Sequence, residues 1–89
     1  MKGIIRDDET KNPLEASITL VDNTKNIVIA TLESNSKTGR YLVSLPSGVN
    51  YGISVKAENY LFHSENFDIP ESTGYQEVVK DIDMKNIDI

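Results

Sequence analysis

Hydrophobic and polar residues alternate with a period of two in the middle of this chain, in residues 40–45 and again in residues 51–57. The apolar members of the two segments are Tyr41, Val43 and Leu45, then Tyr51, Ile53, Val55 and Ala57. This period is typical of a β-strand with one buried face. Between the segments, Pro46 lacks an amide hydrogen and Gly48 permits a reversal, which predicts a β-hairpin or a corner.

Five further segments have the composition of short strands. They are residues 2–7, 15–23, 27–33, 60–69 and 76–87. In the second, Ala16, Ile18 and Leu20 share a face, and Asp22 and Asn23 give a turn signal. The inward face of residues 27–33 cannot be assigned because both parities are apolar. The inward face of residues 60–66 cannot be assigned either.

Two residues break the alternation near the end of the chain. Lys80 shares a parity with the apolar Ile82 and Met84, and Phe62 is out of phase with Phe67. We expect a bulge or an edge strand at both places. About seven short strands, with no segment of helical periodicity, predict an all-β fold, a Greek-key β-sandwich. At 89 residues, the chain is expected to form a single domain over residues 1–89.

Charge and composition exclude several kinds of partner. The net charge is −5, and the nine basic residues are scattered singly, whereas nucleic acids and anionic membranes are bound by clustered cations. There is no cysteine, so neither a disulfide nor a thiolate-bound zinc is available. No apolar run is long enough to insert into a membrane. The first residues lack the pattern of a signal peptide, so if the domain is exported, its signal is expected outside this sequence.

Several motifs resemble a known family. Gly3, Ile5 and Asp7 match a G-x-V-x-D pattern, "NPLEASITL" matches x-P-L-x-x-A-x-V-x-L, and "TGRYLVSLPSGVNY" matches T-x-x-G-x-Y-x-x-x-L-P-x-G-x-Y. Together they resemble the carboxypeptidase regulatory-domain-like modules, which have a transthyretin-like or adhesin B-repeat sandwich. Residues 60–82 are similar to the copy of this module in OmpA-family outer-membrane proteins of Gram-negative bacteria.

The resemblance implies a role without chemistry of its own. It implies a non-catalytic spacer or docking module of a larger cell-envelope protein, in the periplasm or at the outer membrane, with neighbouring domains of the same polypeptide as partners. The alternative is a glycan- or peptidoglycan-binding module that uses residues 68–76 and nearby aromatic rings. A hydrolase is disfavoured, since the family's zinc ligands lie in another domain. No cofactor, metal or catalytic residue is expected.

Three arrangements with possible chemistry were weighed against structural roles. His63, Ser64 and Glu65 are adjacent, but neighbours on a strand point to opposite faces. The acidic segments 6–12 and 81–88 lack the ligand spacing of a calcium-binding loop. The resemblance also raises an isopeptide bond between Lys2 and Asn86, for which no inward carboxylate is evident on the middle strands.

One region contains more large apolar side chains than a single strand face can bury. Its members are Tyr60, Leu61, Phe62 and Tyr75. We expect some of them to remain exposed and to form an interaction surface. In the competing interpretation, a bulge turns Phe62 back into the core.

Overall fold

The computed structural model describes residues 1–46, 48–69 and 78–87, and these residues form seven strands. The strands are β1 (Lys2–Asp7), β2 (Ser17–Asp22), β3 (Ile27–Glu33), β4 (Arg40–Leu42), β5 (Val49–Lys56), β6 (His63–Ile69) and β7 (Ile82–Met84). None of this described part forms a helix that could span a bilayer. The prediction of an all-β fold is confirmed.

The strands are arranged in two sheets. The smaller sheet has the order β4-β1-β7, and the larger sheet has the order β3-β2-β5-β6. All pairs are antiparallel except β1 and β7, which are parallel, with Ile5 beside Ile82 and Asp7 beside Met84. The arrangement is compatible with a β-sandwich.

The core contains one alternating set of side chains from each sheet. The smaller sheet contributes Ile5, Tyr41, Ile82 and Met84, and the larger sheet contributes Ile18, Leu20, Ile53 and Val55. All eight are buried. The predicted inward faces of β2 and β5 are therefore confirmed, because their apolar residues at alternate positions pack against the other sheet.

The segment between Tyr41 and Tyr51 is a corner between the two sheets. β4 belongs to the smaller sheet and β5 to the larger one. β4 ends at Leu42, although the alternation predicted a strand to residue 45. Val43 and Leu45 are half-buried against the core without extending the ladder. A hairpin is excluded, since paired neighbours would have to share a sheet.

Both strands with broken alternation lie at sheet edges, as predicted. β6 is the outer strand of the larger sheet, and β7 is the outer strand of the smaller one. On β3, a bulge between Ala30 and Val28 shifts the register against β2. Ala30 and Leu32 pack against the core, whereas Ile27, Val28 and Ile29 remain 38 to 62% exposed. The bulge changes which face the residues before Ala30 occupy, which explains why the pattern of residues 27–33 did not reveal the inward face.

The parallel ladder between β1 and β7 is modified at Lys80. Its carbonyl oxygen accepts a hydrogen bond of 2.5 Å from the Tyr41 hydroxyl. The backbone N–H of Ile4 is bonded instead by the Asp81 carboxylate, at 3.0 Å. Gly3 lies against the Lys80 carbonyl, where a Cβ atom would be 1.8 Å from the oxygen. Only glycine leaves room for this exchange of acceptors, in which the Lys80 carbonyl bonds the Tyr41 hydroxyl and the Ile4 N–H bonds the Asp81 side chain.

Three turns share one hydrogen-bonding scheme. The side chain of the first residue of each turn accepts hydrogen bonds from two backbone N–H groups. The carbonyl of that same residue accepts a third hydrogen bond, from the N–H of the residue four positions later. The first residues are Asp7, Asp22 and Asn35, and the fifth residues are Lys11, Asn26 and Gly39. Each fifth residue has a positive φ, between 56° and 72°. The short polar side chain thus replaces strand pairing where the backbone reverses.

Candidate docking surface

The predicted interaction surface begins in the connection between β5 and β6. After Lys56 the chain turns, with the Tyr60 N–H donating to the Ala57 carbonyl at 3.1 Å. Asn59 takes a positive φ of 68° within this turn. Asparagine tolerates this left-handed conformation better than most residues. The turn places residues 60–62 at one end of the larger sheet, before β6 begins at His63.

Tyr60 is half-buried and bonded to the smaller sheet. Its hydroxyl donates to the Asp7 carboxylate at 2.5 Å, and the N–H groups of Glu9 and Thr10 donate to the other oxygen. These bonds, first that of Tyr60, lower the pKa of Asp7. The same bond raises the pKa of Tyr60. Tyr60 therefore fastens the β5–β6 connection to the end of β1 and offers little free surface.

Leu61 and Ile87 form an exposed apolar surface, the end patch, where the β5–β6 connection pairs with the C-terminal segment. They are 51% and 49% exposed. Leu61 is joined to the C-terminal segment by its N–H, which donates to the Lys85 carbonyl at 2.8 Å. The N–H of Ile87 donates to the Asn59 carbonyl at 2.9 Å. These hydrogen bonds hold the two segments together beneath the exposed side chains.

The structure describes three of the four residues of the predicted surface. Leu61 and Phe62 are exposed, so Phe62 is not turned back into the core. Tyr60 belongs to the scaffold behind the patch. Tyr75 lies outside the described residues. Ile87 was missed because its contact with residues 59–61 depends on how the two distant segments pair.

His63 and Ser64 alternate on β6, as the strand geometry requires. His63 and Glu65 share the inward face, with 4.0 Å between Nε2 and Oε2. Lys80 forms a 3.2 Å ion pair with Glu65, and its ammonium lies 5.1 Å from the centre of the Phe67 ring. The pair links β6 to the segment that precedes β7. It also explains why a lysine occupies an inward parity there.

The acidic side chains near the ends of β1 and β7 are bound by the protein itself. The Asp83 carboxylate accepts hydrogen bonds from Arg6 and Lys11, each at 3.2 Å. These contacts, first the hydrogen bond from Lys11, lower the pKa of Asp83. Within the residues described, no three acidic, histidine or cysteine side chains are grouped as a metal site.

Lys2 and Asn86 lie at opposite ends of the β1–β7 pair. Lys2 is beside Val79, whereas Asp7, at the other end of β1, is beside Met84. Asn86 follows Met84 and pairs with Tyr60. The register therefore separates the two side chains by most of the length of β1, and an isopeptide bond between them would require a different fold.

The outer face of the smaller sheet forms an open groove of about 660 Å³. Residues that line it include Ile4, Arg40, Leu42, Val79 and Asp81. Leu42 and Val79 are 74% and 59% exposed. Charges of both signs border these apolar side chains, so the groove has no chemistry that selects one ligand.

The middle of the outer face of the larger sheet carries short uncharged side chains, and Glu33, Lys56 and Asp68 lie toward its ends. The register places four hydroxyl groups in one row across the sheet, which we call the hydroxyl row: Thr31, Thr19, Ser54 and Ser64. Beside it lies the amide cluster, formed by Asn23, Asn50, Asn66 and Asp68. Asn23 donates to the side-chain oxygens of Asn50 and Asn66 at 2.7 and 3.1 Å, and Asn50 donates to Asp68 at 2.5 Å.

The sequence alone did not indicate this face. Its strands are recognised by their inward apolar residues, and the polar residues of the face occupy the outward positions between them. The signal becomes visible only when the register aligns the four strands.

Comparison with known proteins adds no relative. No protein-family model matches the chain, and no curated protein matches it. The class that the structure defines is an all-β domain of two sheets, with three and four strands.

Proposed function

We propose that this chain is a non-catalytic accessory module of the carboxypeptidase regulatory-like type, which docks against a neighbouring domain of a larger cell-envelope protein. The proposed fold is a transthyretin-like Greek key. In support, β2 and β3 form a hairpin, and β5 returns to the side of β2 after the chain has passed through the other sheet.

The residues that carry the family resemblance have roles in the fold. Gly3 makes room for the Lys80 carbonyl, and the Asp7 carboxylate holds a turn. Gly39 has a positive φ of 72°. Tyr41 and Tyr51 are buried and donate to backbone carbonyls. These structural roles support a module in which the residues of the motifs stabilise the fold and do not carry out a reaction.

The observation that carries the docking role is the end patch. Two exposed aliphatic side chains on paired segments are a surface that a partner can desolvate. Ile87 belongs to it, so a domain that follows in the polypeptide would be attached beside the patch. Because backbone hydrogen bonds already join the two segments, the surface requires little reorganisation when it binds.

The test compares the isolated domain with a polypeptide that includes its following domain. We expect backbone NMR resonances of residues 59–62 and 85–87 to shift in the longer chain, and the Leu61→Ser, Ile87→Ser double variant to abolish the shifts. Leu42→Ser is the matched control, because Leu42 is at least as exposed but lies on the smaller sheet. Two domains that tumble independently, with unshifted resonances, would reject docking and leave a plain spacer.

A further inference from the structure

The hydroxyl row and the amide cluster form a surface unlike the rest of the exposed sheet area. The outer face of the smaller sheet carries charges at Lys2, Arg6, Arg40, Asp81 and Asp83. The hydroxyl row carries none. The row beside it, made of Val28, Val21, Gly52 and Asn66, carries none either. Because 26% of the chain is charged, a solvated face without charge in two rows calls for a reason beyond solubility.

We propose that this face binds a neutral glycan, which lies along β5 and β6 from Phe62 to the amide cluster. Hydroxyl and amide groups both donate and accept hydrogen bonds, as sugar hydroxyls do. Adjacent strands are about 4.8 Å apart, so the hydroxyl row spans about 14 Å. Phe62, Ser64, Asn66 and Asp68 follow one another at alternate positions of the same strand and its entry, over about 20 Å. The face can therefore contact several sugar units.

The amide cluster is ordered before any ligand arrives. Asn23 uses its amide hydrogens to hold Asn50 and Asn66. In the described part of the chain, no hydrogen bond involves the Nδ2 group of Asn66, which leaves two donors for a ligand. Gly52 lies beneath the cluster and has no side chain that would project between Asn23 and Asn66. Short side chains held in place lose little conformational entropy on binding.

Phe62 supplies the apolar contact that hydroxyl groups cannot provide. Its ring is 57% exposed, and the Lys56 ammonium lies 5.8 Å from its centre. An aromatic ring at the border of a Ser- and Asn-rich surface is a combination found in adaptable binding surfaces. The apolar face of a sugar ring can pack on it while the sugar's hydroxyls reach Ser64 and Ser54.

Other occupants fit this face less well. A protein partner needs a broad apolar centre, but here the apolar side chains of Val21 and Val28 are bordered by the hydroxyl row and the amide cluster. Nucleic acid needs clustered cations, but Lys56 is the one cation facing outward on the described strands of this sheet. An anionic polysaccharide would meet Glu33, Asp68 and the net charge of −5. A neutral glycan meets none of these obstacles.

The experiment titrates the ¹⁵N-labelled chain with neutral hexasaccharides of β-1,4-linked N-acetylglucosamine, β-1,4-linked glucose and α-1,4-linked glucose. A hyaluronan hexasaccharide serves as the anionic comparator. We expect at least one neutral probe to shift the resonances of Ser54, Ser64 and Asn66, with a Kd of about 0.1 to 1 mM. The hyaluronan probe should bind more weakly.

Two variants separate binding from folding. Asn66→Asp keeps an acceptor for Asn23 but removes both free donors, so it should weaken binding about tenfold with a nearly unchanged unfolding midpoint. Phe62→Ala should weaken binding by a similar factor, whereas Leu42→Ala on the other sheet should not. The proposal is overturned if no neutral probe shifts this face, or if the shifts lie elsewhere. Resonances of this face that depend on protein concentration without sugar would also overturn it, since a second copy would then cover the face.

The result is independent of the docking role. Leu61 and Ile87 are unchanged in these variants, and the docking experiment uses no glycan. Loss of one activity without the other therefore shows which of the two proposals fails.

Discussion

Replacing Gly3 with alanine tests the exchange of hydrogen-bond acceptors between β1 and β7. The new Cβ atom would lie 1.8 Å from the Lys80 carbonyl oxygen and 2.9 Å from Cε1 of Tyr41. Unstrained contacts of this kind need about 3.5 Å. The nearest atom belongs to the backbone, so no side-chain rotation relieves the clash. Either β7 moves away from β1, or β1 bends.

The expected cost can be worked out from the parts that are disturbed. Overpacking a filled core costs about 1 to 3 kcal/mol, and losing the hydrogen bond from Tyr41 to Lys80 costs about 0.5 to 1.5 kcal/mol. Alanine also restricts the unfolded chain, which restores about 0.4 to 1 kcal/mol. The free energy of unfolding should therefore fall by about 0.5 to 4 kcal/mol, with a central value of about 2 kcal/mol, a large share of the about 5 kcal/mol expected for a small domain.

The assay is urea unfolding followed by circular dichroism. With a slope of about 1 kcal/mol per molar urea, the midpoint of Gly3→Ala should fall by about 0.5 to 4 M, with a central value of about 2 M; at the upper end the protein would be unfolded in buffer. Gly52→Ala is the matched control on β5. There the new Cβ would be 3.1 Å and 3.3 Å from the side-chain oxygens of Asn23 and Asn66. Both side chains are exposed and can move, so the midpoint should change by less than about 1 M.

A further variant separates the hydrogen bond from the clash. Tyr41→Phe removes the bond to Lys80 and leaves the backbone in place, so it should cost about 0.5 to 1.5 kcal/mol. The reasoning is refuted if Gly3→Ala and Gly52→Ala have the same midpoint. It is also refuted if Gly3→Ala costs no more than Tyr41→Phe, because the backbone clash would then be absent.

Burial raises the pKa of Tyr41 to about 12, so the stability present below pH 10 should decline as the pH rises from about 10 to 12. Tyr41→Phe should flatten this decline in urea midpoints measured against pH. At the acid end, the lowered pKa of Asp7 gives stability that is present above pH 4 and lost as the pH falls. Tyr60→Phe should shift acid unfolding, followed by circular dichroism, to a higher pH, and an unshifted curve would contradict the role of that hydroxyl. Tyr51→Ala should cost about 3 to 5 kcal/mol, because its buried ring stacks on Phe67 at 5.6 Å; an unchanged unfolding midpoint would contradict this.

Alternation in the sequence predicted the strands that have one solvent-exposed face and one buried face. β1 has the predicted bounds, β5 overlaps its predicted segment but begins earlier, at Val49, and the predicted inward residues of β2 are confirmed. Sheet membership could not be obtained in this way, because periodicity describes a strand and not its partner. The corner after β4 shows the difference: two neighbouring alternating segments entered different sheets.

Residues that depend on pairing between distant segments were the hardest to predict. Leu61 and Phe62 stood out because the local pattern broke there. Ile87 and the amide cluster gave no local signal, since they are assembled by segments as far apart as residues 23 and 66. The inward position of Lys80 became intelligible only with Glu65 and Phe67 opposite it.

The parallel pairing of β1 with β7 determines how the domain responds to a pulling force. A pull applied before β1 and after β7 draws the two strands in opposite directions along their length. The bonds at Lys2, at Lys80 and between Asp8 and Met84 are then loaded together in shear rather than opened one at a time. Because forced unfolding is governed by the rate of crossing this barrier, the ladder acts as a mechanical clamp. A module under tension between two anchored neighbours would keep its length until several hydrogen bonds failed at once.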